Sequence, residues 1–221
     1  MSDDGFFREV SQELRQDQAK ALWNRYGTLI IAGAVAVVVA TAAFVGWEYW
    51  SQSRADRSGD AYLNALSLAR DGNTEEAKAA FEALEADGYG AYPVLARMRA
   101  ATLLAQEGDY DGAVAAFDSV AADSAVPLSI REMARLRAGY LLVDHGSYAD
   151  VAQRVEALTA ETNPLRHSAR EALGLAAWKA GDYGNAGSLF QQIVADASAP
   201  LNLRERAGMM VELVRGLETS G

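Results

Sequence analysis

Cysteine is absent from the chain. That excludes a disulfide framework, a thiolate metal site and a cysteine nucleophile. Histidine is nearly absent: His145 and His167 are the only two, too few for a histidine-based metal centre without several carboxylates converging beside them. Positive charge is also short, with 20 Lys and Arg against 30 Asp and Glu and a net charge of −10. Nucleic-acid affinity comes mainly from cations that neutralise phosphates, so that balance excludes a nucleic-acid surface. No G-x-S-x-G turn surrounds Ser129, Ser147 or Ser168, the context a serine nucleophile needs. The acids Glu75, Glu76, Asp109, Asp111 and Asp182 fall where helices are expected to begin, and carboxylates there stabilise the helix N-terminus. His145 stands at an expected helix end, where it can interact with the last carbonyls. Neither an enzyme nor a bound cofactor is expected. At 221 residues, the chain is long enough for one or two compact domains.

Charge is missing altogether from residues 26–47, a run of 22 between Arg25 and Glu48. A helix of that length spans about 33 Å, enough for a hydrocarbon core of about 30 Å. Its centre, residues 29–40, is apolar on every face, unlike an amphipathic core helix. Trp23 and Tyr26 lie at one end and Trp47, Tyr49 and Trp50 at the other, in the manner of aromatic belts at membrane interfaces. A transmembrane helix over 26–50 is expected, with those five aromatics as its interfacial anchors and membrane lipid as its surroundings. A cleaved signal sequence fits less well, because 25 polar residues of mixed charge come first and the apolar run exceeds the usual 7–15 residues or so. Arg8, Arg15, Lys20 and Arg25 precede the span, and only Arg54 and Arg57 follow closely. That asymmetry favours a cytoplasmic N-terminus.

Residues 1–25 carry a short apolar stripe of Phe6, Phe7, Val10, Leu14, Ala21 and Leu22. Two readings fit this cytoplasmic amphipathic segment: a contact for a partner, or an interfacial helix lying on lipid headgroups.

Residues 51–221 hold an internal repeat. Gly72, Gly108, Gly146 and Gly181 are spaced by 36, 38 and 35 residues. Five residues after each comes Ala77, Ala113, Val151 or Ala186, and nine after comes Phe81, Phe117, Val155 or Phe190. Seven before stands a small residue: Ala65, Ala101, Gly139 or Gly174. All four prolines, Pro93, Pro127, Pro164 and Pro200, fall once per unit, 18 to 21 residues after the glycine. The glycine suits a left-handed helix C-terminus, and the polar residue beside it suits the N-cap of a second helix. Small residues allow two antiparallel helices to approach, and the aromatic fills the space between hairpins. The pattern predicts helix pairs at 54–70 and 74–87, 91–107 and 110–122, 128–145 and 148–160, and 165–180 and 183–196, closed by a capping helix at 201–217. The expected fold is all-α, a transmembrane helix followed by a solenoid of four helical hairpins.

Arg97, Arg135 and Arg170 recur eleven residues before the glycine in three successive hairpins. Either they pair with acidic segments of a partner, or they form internal ion pairs and cover apolar surface with their stems. Tyr62, Tyr92, Met98, Tyr140 and Trp178 line a groove in one reading and belong to the core in the other. Partner-binding candidates are therefore Arg97, Arg135, Arg170 and Tyr140.

The segments Gly-Asp-Tyr-Asp-Gly-Ala-Val-Ala-Ala-Phe (108–117) and Gly-Asp-Tyr-Gly-Asn-Ala-Gly-Ser-Leu-Phe (181–190) resemble the second half of a tetratricopeptide repeat. Where that family often has tryptophan in the first helix, this chain has Ala61, Arg97, Arg135 and Arg170. The whole layout is more specific: Phe-Phe-Arg-Glu-Val (6–10), then Lys-Ala-Leu-Trp-Asn-Arg-Tyr-Gly (20–27), one span ending Gly-Trp-Glu-Tyr-Trp (46–50), then repeats. It resembles the YfgM-like family of bacterial inner-membrane proteins, ancillary subunits of the SecYEG translocon. The resemblance implies a single-pass protein with a cytoplasmic N-terminus and a periplasmic repeat domain. Its implied partners are the translocon, a membrane-anchored periplasmic chaperone and exported polypeptides. Apart from the resemblance, the residues leave open a scaffold in another envelope complex, such as one for cytochrome maturation or cell-wall assembly. A small-ligand receptor or enzyme finds no pocket residues in the sequence.

Overall fold

The computed structural model describes residues 3–218, with side chains described at residue 20 and over residues 22–217. The expected stripe of Phe6, Phe7, Val10, Leu14 and Ala21 lies outside the described side chains; Leu22 is exposed. Among the described residues the structure is all-α, with no strand. The chain divides into two compact units, Met1–Asp56 and Arg57–Gly221.

The first helix, α1, runs over Asp3–Arg70. Separate helices were expected at 26–50 and 54–70. Residues 51–53 and 55–58 lack any proline or glycine, and Gln52 Nε2 donates to Asp56 Oδ1 at 3.0 Å across the expected boundary, so nothing local ends the helix there. In the first unit, α1 includes a window with mean hydropathy 2.5 and no buried residues, long and apolar enough to cross a membrane. Leu29, Ile30, Ile31, Val37, Val38 and Val39 are all more than half exposed. Thr41, a polar side chain within that stretch, donates its hydroxyl to the Val37 carbonyl at 2.8 Å. The helix thus satisfies its own hydroxyl, as a polar side chain on a helix that crosses a bilayer must.

The second unit continues with α2 (Thr74–Asp87), α3 (Tyr92–Gln106), α4 (Tyr110–Ala122) and α5 (Leu128–His145). There follow α6 (Tyr148–Val155), a 3-10 turn (Glu156–Thr159), α7 (Arg166–Lys179), α8 (Tyr183–Ala195) and α9 (Leu201–Glu218). The expected helix 148–160 stops early because its last turn tightens. The Thr159 hydroxyl bonds the Glu156 carbonyl at 2.8 Å, three residues back, within that turn.

Three repeat glycines have the expected left-handed backbone: Gly72 (φ 84°), Gly108 (φ 87°) and Gly181 (φ 79°). After each, the next N–H donates to the carbonyl five residues back: Asn73 to Leu68, Asp109 to Leu104 and Asp182 to Ala177. That is the bond a left-handed glycine makes possible. Gly146 departs from the expectation, with an extended φ of −131°. Here the next N–H, that of Ser147, donates instead to Asp150 Oδ2 at 3.0 Å, and Asp150 N donates to Ser147 Oγ at 3.2 Å. This reciprocal capping box satisfies Ser147 N–H without a left-handed residue. Gly146 instead allows a close approach, since a Cβ there would lie 2.8 Å from Leu142 Cδ2 and 3.1 Å from the Leu142 carbonyl oxygen.

Every repeat position with a packing role is buried. Ala65, Ala77, Ala101, Ala113, Val151, Val155, Ala186 and Phe190 are below 1% exposed, with Phe81 and Phe117 close behind. The core is a string of four clusters, each joining one hairpin to the first helix of the next. Phe81 and Leu84 meet Ala96 and Leu103 in the first, and Phe190 and Ile193 meet Leu203 and Val211 of α9 in the last. Such a core is built from nearest-neighbour interfaces.

Candidate functional site

The three register arginines share a position but not an environment. Arg97 Nη1 donates to Asp123 Oδ2 at 2.7 Å and Nη2 to Ser119 Oγ at 3.1 Å, while Nε lies 3.7 Å from Glu85. Arg97 in turn holds the Asp123 carboxyl below its usual range. Arg170 is 7% exposed and donates through Nη2 to Glu161 Oε1 at 2.7 Å and to the Thr159 carbonyl at 3.2 Å. Arg135 lines a cleft of about 240 Å³ with Asp118, Ala121, Ala122, Gln153 and Arg154. It has no hydrogen bond or ion pair among the described residues, whereas the other two are both paired.

Tyr140 is held from α7. Its hydroxyl donates to Glu171 Oε2 at 2.7 Å and lies 3.2 Å from the Ser168 carbonyl, and Arg206 of α9 grips the same carboxylate from the far side. Burial first, then the bond to Glu171, pushes the Tyr140 phenol well above its usual pKa of 10. This network links three successive first-of-pair helices. Two similar links were not anticipated from the sequence: Arg99 Nε to the Tyr62 hydroxyl at 3.2 Å, and Arg137 Nη1 to Thr102 Oγ1 at 3.2 Å. Their separations of 37 and 35 residues match the repeat length, the signal that would have found them.

Of the aromatic and methionine groove candidates, Met98 is buried in a core cluster, whereas Trp178 is 37% exposed. Trp178 lines a second cleft of about 220 Å³ with Tyr140, Asp144 and Leu175. Tyr62 and Tyr92 pack on each other, with Tyr62 edge-on to Phe81. His145 stacks on the Tyr110 ring with centroids 3.4 Å apart. Ser147, Asp109 and Asp182 are N-caps, accepting from the backbone N–H groups of Asp150, Gly112 and Asn185. Among the described residues there is no group of three or more metal-ligating side chains.

In the first unit, Trp23, Tyr26, Trp47, Tyr49 and Trp50 are all exposed at the two ends of the apolar stretch. Arg25 lies 5.6 Å over the Tyr26 ring and Arg54 5.1 Å over the Trp50 ring. Each end therefore carries an aromatic–guanidinium pair, which joins an amphipathic ring to a cation suited to lipid headgroups.

A family model described as a tetratricopeptide repeat-like domain matches residues 20–207. The chain belongs to the tetratricopeptide repeat-like family. The match takes in the apolar helix as well as all four hairpins. Comparison with curated proteins and with solved structures returns no match. Repeat domains of this family are typically protein-interaction modules, and stacked hairpins offer the long surfaces that such binding uses.

Proposed function

We propose that the protein is a membrane-anchored interaction module of the bacterial inner membrane, an ancillary subunit of the SecYEG translocon. Residues 1–25 are its cytoplasmic amphipathic segment, 26–50 its single span, and 51–221 its periplasmic repeat domain. The repeat domain engages a periplasmic chaperone or exported polypeptides. The observation that carries this reading is the pairing, in one family match, of an apolar helix girdled by aromatic–arginine pairs with a repeat solenoid. An anchor confines the repeats near the membrane surface, which raises their effective concentration for partners there. The YfgM-like layout at 20–50 supplies the translocon, and the excess of basic residues before the span supplies the orientation.

The test is a photo-reactive residue at Arg54 and another at Trp178, activated in intact cells, with the adducts identified by mass spectrometry. Adducts with translocon subunits or a periplasmic chaperone are expected at both positions. Adducts confined to an unrelated envelope complex would sink the translocon reading and leave a scaffold. Cytoplasmic adducts at Trp178 would reverse the topology.

A further inference from the structure

We propose that the cleft around Arg135 is a binding site for a single carboxylate of a partner polypeptide. The repeat itself shows what is missing there. On either side of it a carboxylate meets the register arginine at 2.7 Å: Asp123 for Arg97 and Glu161 for Arg170. Glu85 adds a longer contact to Arg97 at 3.7 Å, and the Thr159 main-chain carbonyl adds a bond to Arg170 at 3.2 Å. Beside Arg135 the register position of Glu85 is taken by Ala121, which lines the cleft and has no carboxylate, and the register position of Asp123 is taken by Glu161, which bonds Arg170 instead.

The neighbouring acids Asp118, Asp123 and Glu161 are all engaged by other groups. Asp123 is held by Arg97 and by the Ala125 N–H, and Glu161 is held by Arg170. Within the cleft, Arg154 already bonds Asp118 at 2.9 Å, Gln153 Oε1 at 3.0 Å and the Asp150 carbonyl at 3.2 Å. Arg135 alone keeps its full fork of donors, a geometry that matches a carboxylate through two parallel bonds. It is partly exposed, so a partner's carboxylate can reach it from solvent. Asp118 in the wall makes a doubly charged anion a poor fit, which leaves a monoanion. About 240 Å³ admits an aspartate or glutamate side chain or a chain terminus.

The site lies between α4, α5 and α6, and is separate from the Tyr140–Glu171–Arg206 network. The inference rests on the repeat domain being a surface for polypeptides, and not on the translocon assignment. Failure of the experiment below leaves the crosslinking result untouched.

The test uses the full chain in detergent micelles and three rhodamine-labelled peptides followed by fluorescence anisotropy. They are amide-capped hexaglutamate, amide-capped hexaglutamine, and a neutral Gly-Ser hexapeptide with a free C-terminal carboxylate. With a net charge of −10, the protein repels hexaglutamate in general, so saturable binding marks a specific site. Binding of hexaglutamate identifies a side-chain carboxylate, and binding of the Gly-Ser peptide alone identifies a chain terminus; either supports the site. Arg135→Ala and Arg135→Gln are expected to weaken binding about tenfold, and Ala122→Glu, which places a carboxylate in the cleft from an exposed position, to do the same with Arg135 intact. Arg137→Ala removes equal charge from the same helix and is expected to change affinity less than about twofold. The proposal is overturned if neither carboxylate peptide binds, if hexaglutamine binds equally well, or if the Arg137 variant loses as much as the Arg135 variants.

Discussion

At Gly139 and Gly174 a single methyl group decides between two opposed effects. Alanine gains up to about 1 kcal/mol over glycine in a helix. A Cβ at Gly139 would overlap Val155 Cγ1, however, and one at Gly174 would lie 2.9 Å from Phe190 Cζ. Val155 and Phe190 are fully buried and have no room to retreat, and overpacking costs about 1–3 kcal/mol. Overlap therefore wins: Gly139→Ala and Gly174→Ala should each lose about 1–2 kcal/mol in urea unfolding. Gly208 is the contrast. A Cβ added there would meet nothing within 4 Å, so Gly208→Ala should gain about 0.5–1 kcal/mol. His167 decides a second matter at this scale. It is 5% exposed, its ring nitrogens have no hydrogen-bond partner, and Nε2 lies 3.4 Å from Asp196 Oδ2. Burial first, then Arg166 and Arg170, lowers its pKa below the usual 6.5, against a smaller opposing pull from Asp196 and Glu161. Below pH 6.5 the unfolded chain then binds the proton more readily than the folded one. Stability from this group is complete above that pH and is lost as pH falls toward the depressed value. The urea midpoint should drop between pH 7 and pH 5.5, and His167→Gln should flatten that slope; an equal drop in both proteins would refute the assignment.

Among the elements, α6 depends most on its ends. Eight residues of α-helix are too few to be stable on propensity, and its start is fixed by the Ser147–Asp150 capping box. Ser147→Ala should cost about 1 kcal/mol, while Gln153→Ala, also on α6 but outside the box, should change stability by less than about 0.5 kcal/mol. Helix boundaries were legible wherever the same residue type performs the same task in every unit. The helices at 74–87, 110–122 and 128–145 begin and end where the repeated glycines, caps and prolines place them. The misjudged details are those where one task has two solutions. Gly146 carries the same letter as Gly72 but serves close approach to Leu142, because the capping box already satisfies the next N–H. The tightened turn at 156–159 is a local feature, accompanied by the Thr159 hydroxyl bond, that the repeat spacing does not encode. A boundary expected between residues 50 and 54 failed because a change of hydropathy is not a helix stop; only backbone chemistry ends a helix.

For the molecule as a whole, the candidate site was legible as a register but not as a state. Spacing places Arg97, Arg135 and Arg170 at one point of the repeat, whereas which acid reaches each of them is decided in three dimensions: Asp123 for Arg97, Glu161 for Arg170 and none among the described residues for Arg135. The apolar run needs no such three-dimensional knowledge, since its consequence follows from composition. Residues 26–47 contain nine Leu, Ile, Val and Phe residues, each contributing about 0.3–0.6 kcal/mol to insertion at the centre of a span. Their sum is about 3–5 kcal/mol, and one Lys at the centre costs about 2.5–3.5. Val37 is near the middle of the run and 66% exposed, with no neighbour able to shelter a cation. Val37→Lys should thus bring insertion close to balance, and Val37→Lys with Val39→Lys should abolish it. Alkaline carbonate extraction of cell membranes reads the result directly. The parent chain should stay with the pellet, the single variant should divide between pellet and supernatant, and the double variant should be released. Full retention of the double variant would mean that something other than this helix holds the protein to the membrane.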